Sequence, residues 1–323
     1  MGKKRVILLV GYNGRNYHGS QLNKDEKTVE KQICDEVAAA GYFHARNCED
    51  YSKAGLQRAS RTDKGVHAAM LLLSFKIETG SDRSTDKLKN ILKSALSPHD
   101  IVVHDLLETT KGFEAKNKCD SRVYEYFVPK GVYLGPDESE TVQEQKEEVF
   151  RHLLSQMQGT HDFHNFTLLN QEKGTSRFIK SITVTDFSLA GRSWHRLTIH
   201  GQSFMIHQIR KMVGFALLVA RHMTDLKAAE QALSLAFAKP RRNIPKAPAA
   251  LLLLSHGLFT NYNARYGSTH GEINPSIAES YKEEVLYPLI CTQEHAALFN
   301  DWYECLAAHP EEFTYATTPN HSE

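Results

Sequence analysis

Residues 57–68, QRASRTDKGVHA, hold two arginines, a lysine, a histidine and one carboxylate, and run directly into the apolar stretch 69–77. A carboxylate flanked by Arg58, Arg61 and Lys64 is expected to stay ionised, because nearby cations favour its charged form. Asp63 would then suit a nucleophile or an anchored electrostatic group better than a proton donor. The same residues also fit a plain turn, with Asp63-Lys64-Gly65 as turn formers. Local chemistry leaves both readings open.

Other stretches could also carry chemistry. In SRVYEYFVP, Tyr124 and Tyr126 lie two apart and share one face of a strand. Such a pair is either core or a stacking surface for a base. A helical projection of residues 205–221 gathers Ile206, Ile209, Val213, Ala216 and Leu217 on one face, with Arg210 at its edge. An arginine there must snorkel to water or meet an anion. The cluster KPRRNIPK, residues 239–246, is either a phosphate contact or an exposed loop. In HDFHNF, His161 and His164 lie three apart, but no third or fourth ligand follows, so no metal is expected. GYNGRNYHG lacks the G-x-G-x-x-G spacing of a dinucleotide site, and no cofactor is implied.

The elements that must position these groups follow from periodicity. Strands are predicted at 4–11, 71–77, 101–107, 123–129, 180–189, 194–200 and 251–254. Helices are predicted at 27–40, 85–96, 144–157, 205–221 and 226–238. The first hundred residues alternate β-α-β-α-β and the second half echoes that content, which predicts two mixed α/β lobes. The expected division is 1–112, 113–264 and an appendage at 265–323.

Bulk properties exclude some classes. A chain that is 41% hydrophobic and 24% charged is globular rather than disordered. No apolar run approaches the roughly 18 residues of a membrane span. The basic start MGKKR leads into too short an apolar run for a secretory signal, and no organelle presequence is evident. The five scattered cysteines form no C-x-x-C pair and read as reduced thiols. An intracellular protein of the nucleus or cytoplasm is expected. Residues 271–323 hold ten acids against one base, a net of −9, leaving +10 on residues 1–270 of a chain whose overall charge is +1. A basic body suits a polyanionic partner.

These stretches together resemble the TruA-type tRNA pseudouridine synthases, in their eukaryotic branch. RASRTDKGVHA resembles the signature loop, YNGRNYHGSQ with KTVEKQI the first strand-loop-helix, SRVYEYFVP the tyrosine strand, and GQSFMIHQIRKMVG the late helix. HDFHNFT and NIPKAPAALLLL extend the similarity over about residues 4–263. The resemblance implies an α+β fold. Two similar lobes would form an extended, mainly antiparallel sheet, with helices on one side and a central RNA-binding cleft. It implies a uridine isomerase acting on tRNA, with Asp63, Tyr124 and Arg210 as catalytic residues, Arg210 pairing with the carboxylate. Arg58, Arg61, Lys64, His67, Arg177, Lys211, Arg241 and Arg242 would bind substrate, and Leu252 and Leu254 would line the pocket. The partner would be tRNA, other structured RNA being the extension, and a monomer is expected, with a homodimer as the alternative. An RNA-binding or RNA-folding protein on the same scaffold, without catalysis, is the competing reading. One departure stands out: Leu251 occupies a position where the family has glycine, so pocket shape could differ.

Overall fold

The computed structural model describes residues 2–23, 25–48, 50–168 and 174–318. The fold is mixed α/β, with a large, mainly antiparallel sheet and helices. Two compact units are present: residues 1–124 with 253–289, and residues 125–252 with 290–323. Among the described residues no helix is long and apolar enough to cross a membrane.

In the first unit β1 (Gly2–Tyr12) pairs antiparallel with β3 (His67–Thr79) on one side and β4 (Ile101–Thr109) on the other. The two-residue β2 (Gln57–Arg58) adds to β3, and β9 (Leu252–Leu258) joins β3 in parallel through His67↔Leu253 and Ala68↔Leu254. β1 from Arg5 to Tyr12 and β3 from His67 to Phe75 are buried on both faces. That is why their sequences are unbroken apolar runs rather than alternating ones. Two helices, Val29–Ala39 and Thr85–Leu96, lie against each other, the first burying Val29, Ile33 and Val37 and the second Leu88, Leu92 and Leu96. Thr28 and Ser84 cap them by accepting from the amides of Lys31 and Lys87, each cap contributing about 1 kcal/mol.

In the second unit β5 (Ser121–Pro129) lies next to β8 (Arg192–Gly201), then β7 (Ser176–Leu189), then β6 (Gly159–Asp162). Ala190 and Gly191 both take positive φ in the β7–β8 hairpin, a turn whose twist matches the strands. The helix expected at 205–221 runs Gln208–His222. It starts later because His207 sits in the left-handed region, φ 64°, which leaves Ile206 off the helix and 46% exposed. Every residue from Gln208 to Ala220 is buried, so the helix is central to its unit rather than two-faced.

Residues 265–318 are folded. Tyr281 is the ring for which Gly11 makes room: a Cβ on Gly11 would lie 2.5 Å from it. Helix Gln293–Ala307 docks in the second unit, where the Tyr303 hydroxyl donates to the Leu217 carbonyl at 3.3 Å and the Arg221 guanidinium lies 4.5 Å from the Tyr303 ring.

Candidate active site

The loop between β2 and β3 is held from behind by the segment after β1. The Ser20 amide donates to the Thr62 carbonyl at 3.1 Å, and the Thr62 amide donates to Ser20 Oγ at 2.9 Å. The Tyr12 and Thr62 hydroxyls share a 2.8 Å hydrogen bond, and the Gly65 amide donates to the Tyr17 carbonyl. Two glycines make this close approach possible. A Cβ on Gly14 would fall 2.0 Å from the Val66 carbonyl oxygen, and one on Gly19 would fall 2.8 Å from that of Thr62. Gly14 and Gly19 of GYNGRNYHG thus cradle a loop. His67 belongs to the same support: its Nδ1 accepts from the Gly14 amide at 3.2 Å, and the residue is buried.

Asp63 sits at the tip of this loop, half-buried between exposed Arg61 and Lys64. The Val66 amide donates to the Asp63 carbonyl at 3.1 Å and Gly65 takes φ +77°, so residues 63–66 form a tight turn. The turn expected at Asp63-Lys64-Gly65 is present, and it holds Asp63 at the tip of the loop.

Tyr124 of β5 lies beside it. Its side chain is hydrogen-bonded to Ser60, three residues before Asp63. Burial pushes its phenol up to about 12; the Arg122 charge and the Ser60 bond pull it down, and the Asp63 charge pushes it up. Near neutral pH Tyr124 is therefore a neutral phenol within the field of the Asp63 carboxylate. Arg122 itself is buried and donates to the backbone carbonyls of Ala59, Lys116 and Cys119, tying the loop to β5. Tyr126 lies two residues further on, fully buried, with its hydroxyl donating to the Pro248 carbonyl at 2.8 Å. Tyr126 is core, and Tyr124 is buried too, with 7% of its surface exposed.

Arg58 binds Glu30 in bidentate fashion, Nε to Oε1 and Nη2 to Oε2, the latter at 2.9 Å. The Glu30 side chain has no exposure and also accepts from the Leu22 amide at 2.8 Å. Burial raises the Glu30 carboxyl above its ordinary value, against the pull of Arg58, Leu22 and Arg61. Glu30 escaped the sequence reading because a glutamate in a helix is ordinarily a solvated charge; no local signal marks its burial.

In the second unit Arg210 is buried, and its Nε donates to the Ala247 carbonyl at 2.7 Å while the Ala247 amide donates back to the Arg210 carbonyl. It also lies close enough to Tyr126 for its charge to act on that phenol. Lys211 Nζ donates to the Asn165 carbonyl at 3.1 Å, and Arg241 Nη2 to the Thr167 carbonyl at 3.0 Å. Arg242 turns inward: its Nη1 donates to the carbonyls of Leu235, Ala238 and Pro240, and its guanidinium faces the Tyr315 ring at 5.7 Å. Arg177 is spent on the carbonyls of Gly174 and Ser176 at one end of β7. Leu252 and Leu254 are buried. His161 Nε2 donates to the Gln158 carbonyl and its ring stacks on Phe237, and His164 lies near Asp162. Among the described residues neither histidine belongs to a group of three metal-binding side chains.

Residues 153–260 match the sequence model of the family described as tRNA pseudouridine synthase. The chain is 30% identical to "tRNA pseudouridine synthase 1" of Yarrowia lipolytica, covering 90% of this chain and 72% of that one. It is 32% identical to "Pseudouridylate synthase 1 homolog" of Homo sapiens, covering 94% and 73%. The chain belongs to the tRNA pseudouridine synthase family. It spans about three fifths of the relatives from Kluyveromyces lactis and Candida albicans, 61% and 58% of their lengths.

Leu251, the departure from the family's usual glycine, ends a short 3₁₀ turn, Ala249–Leu251. Its φ is not positive and its side chain is fully buried. Leucine adopts this backbone without strain, and its bulk goes into the core.

Proposed function

We propose that this protein isomerises uridine to pseudouridine in tRNA. Asp63, presented on a braced turn beside the neutral phenol of Tyr124, is the observation that carries this reading. The reaction breaks the N1–C1′ bond, turns the uracil, and joins C5 to C1′. C5 loses its proton and N1 gains one, so no redox partner or external energy is needed. Asp63 assists glycosidic cleavage, by attack at C1′ or by removal of a sugar proton. Tyr124 offers a ring for the base to pack on and a hydroxyl to exchange protons.

The target uridine must leave the RNA stack, costing a few kcal/mol. Phosphate contacts and stacking offset that cost. Exposed Arg61 and Lys64 supply positive charge at the loop. Arg58 and His67 support the loop rather than meet RNA, since Glu30 and Gly14 occupy them. Arg210 takes the third catalytic position by its match to the family's helix arginine. The protein acts as a monomer on this reading.

The test is to incubate wild type and Asp63→Ala with unmodified tRNAs and map pseudouridine at nucleotide resolution. Product from wild type and none from the variant is expected, with tRNA affinity retained. No product from wild type on any tRNA would sink the enzyme reading. Equal product from both would remove Asp63 from the chemistry. Arg210→Lys, which keeps the charge but not the fork, is expected to lower kcat without unfolding the protein.

A further inference from the structure

Among the described residues three lysines are more than nine-tenths buried: Lys146, Lys211 and Lys282. Lys146 is neutralised by Glu138 and Lys282 by Glu279. Lys211 differs. Its Nζ bonds to the neutral Asn165 carbonyl, and among the described residues no carboxylate pairs with it. Among the described residues the charges that act on it are both positive, Arg241 and Lys246. A buried cation facing other cations is costly unless an anion completes the set.

The backbone around it is built to hold this arrangement. Lys211 and Arg241 are anchored on carbonyls two residues apart, at Asn165 and Thr167. Asn165 is itself fixed on all sides: Nδ2 donates to the Ala236 and Ala238 carbonyls and Oδ1 accepts from the Arg242 amide. Lys246 is tied down by its carbonyl, which accepts from Trp302 Nε1 at 3.0 Å. The HDFHNF stretch is thus the shelf for a cationic cluster. Among the described residues Arg241, like Lys211, has no acidic partner.

We infer that Lys211 and Arg241, with Lys246 beside them, form a phosphate subsite in the second unit that takes a backbone phosphate of bound RNA. This rests on the tRNA reading above for its ligand. The shared chemistry is a tetrahedral phosphate oxyanion, and a free inorganic phosphate is the other source. Burial and the two neighbouring cations lower the Lys211 amine to about 8, so phosphate binding would also draw a proton onto it near neutral pH.

The test compares wild type, Lys211→Met, Arg241→Gln and, as a control on an exposed helix face, Lys87→Met. Each is measured for tRNA affinity against KCl, for melting with and without inorganic phosphate, and by NMR titration of the Lys211 side chain. Lys211→Met is expected to melt no lower than wild type, because a buried charge has gone. Its log Kd against log salt slope should fall by roughly 0.7–0.9, the share of one phosphate. Arg241→Gln should lose a similar share and Lys87→Met none. The Lys211 amine should titrate upward when RNA binds. Loss of phosphate-dependent stabilisation with an unchanged tRNA slope would assign the site to a free anion and overturn the RNA source. Were Lys211→Met to misfold, Arg241→Gln decides through the same slope. Unchanged slope and unchanged phosphate response in folded variants would refute the subsite. A wild type that bound phosphate but made no pseudouridine would fail the enzyme reading and leave the anion site standing.

Discussion

Removing Arg58 is the sharpest test of how the Asp63 loop is held. In Arg58→Met the Glu30 side chain, with no exposure, keeps the Leu22 amide and the more distant charge of Arg61 but loses both bidentate bonds. Breaking a buried ion pair from one side costs about 3–5 kcal/mol, because a buried charge is left behind. Solvent screening discounts this little at Glu30. Arg58 is partly exposed, its side chain at 20%, so the reverse change is cheaper. Glu30→Gln leaves an arginine that can turn toward water, and about 1–2 kcal/mol is expected.

The pH dependence follows in sign. The folded Glu30 carboxyl already lies above its ordinary 4.5, and losing Arg58 removes the strongest influence pulling it down. A carboxyl raised in the folded state loses stability as pH rises from its unfolded value through its folded one. The deficit of Arg58→Met should therefore be largest at pH 7–8 and shrink toward about pH 3, well below the ordinary 4.5, where Glu30 is neutral in both states. The assay is urea unfolding of both single variants and the double variant across that range, with pseudouridine formation alongside. Activity should fall with the loop's order while the double variant recovers part of the stability. A pH-independent deficit, or a Glu30→Gln loss as large as that of Arg58→Met, would refute the buried-pair account.

Other consequences can be checked alongside. Gly14→Ala drives a Cβ to 2.0 Å from the Val66 carbonyl oxygen; overpacking against backbone should cost about 3 kcal/mol, and activity should fall more than tRNA affinity. Tyr124→Phe keeps the ring but loses the Ser60 bond; turnover should slow roughly a hundredfold with little change in tRNA Kd, and a wild-type rate would reduce Tyr124 to a stacking surface. Lys211 lies at about 8 in the folded state against an ordinary 10.5; wild-type stability should gain a rising component across that interval as the buried charge is lifted. Lys211→Met should lack that component in denaturation curves taken between pH 7 and 10.5.

Much of this molecule was legible in one dimension because local rules act locally. Apolar spacing announces helices at 27–40 and 85–96, the apolar runs announce strands at 4–11 and 71–77, and the Asp63-Lys64-Gly65 sequence announces its turn. Tertiary structure decided the rest. Which arginine meets RNA and which is spent inside is a question of partners far apart in sequence. Arg58 finds Glu30, 28 residues away, and Arg242 finds the carbonyls at the end of the preceding helix. The glycines at 14 and 19 mean nothing until another segment's carbonyl lies against them. The acidic stretch after residue 264 reads as an appendage by charge, yet Tyr281 and Tyr303 anchor it by packing. Charge pattern reports what faces water on average; burial and pairing are set by which surfaces meet, and only the folded chain specifies that.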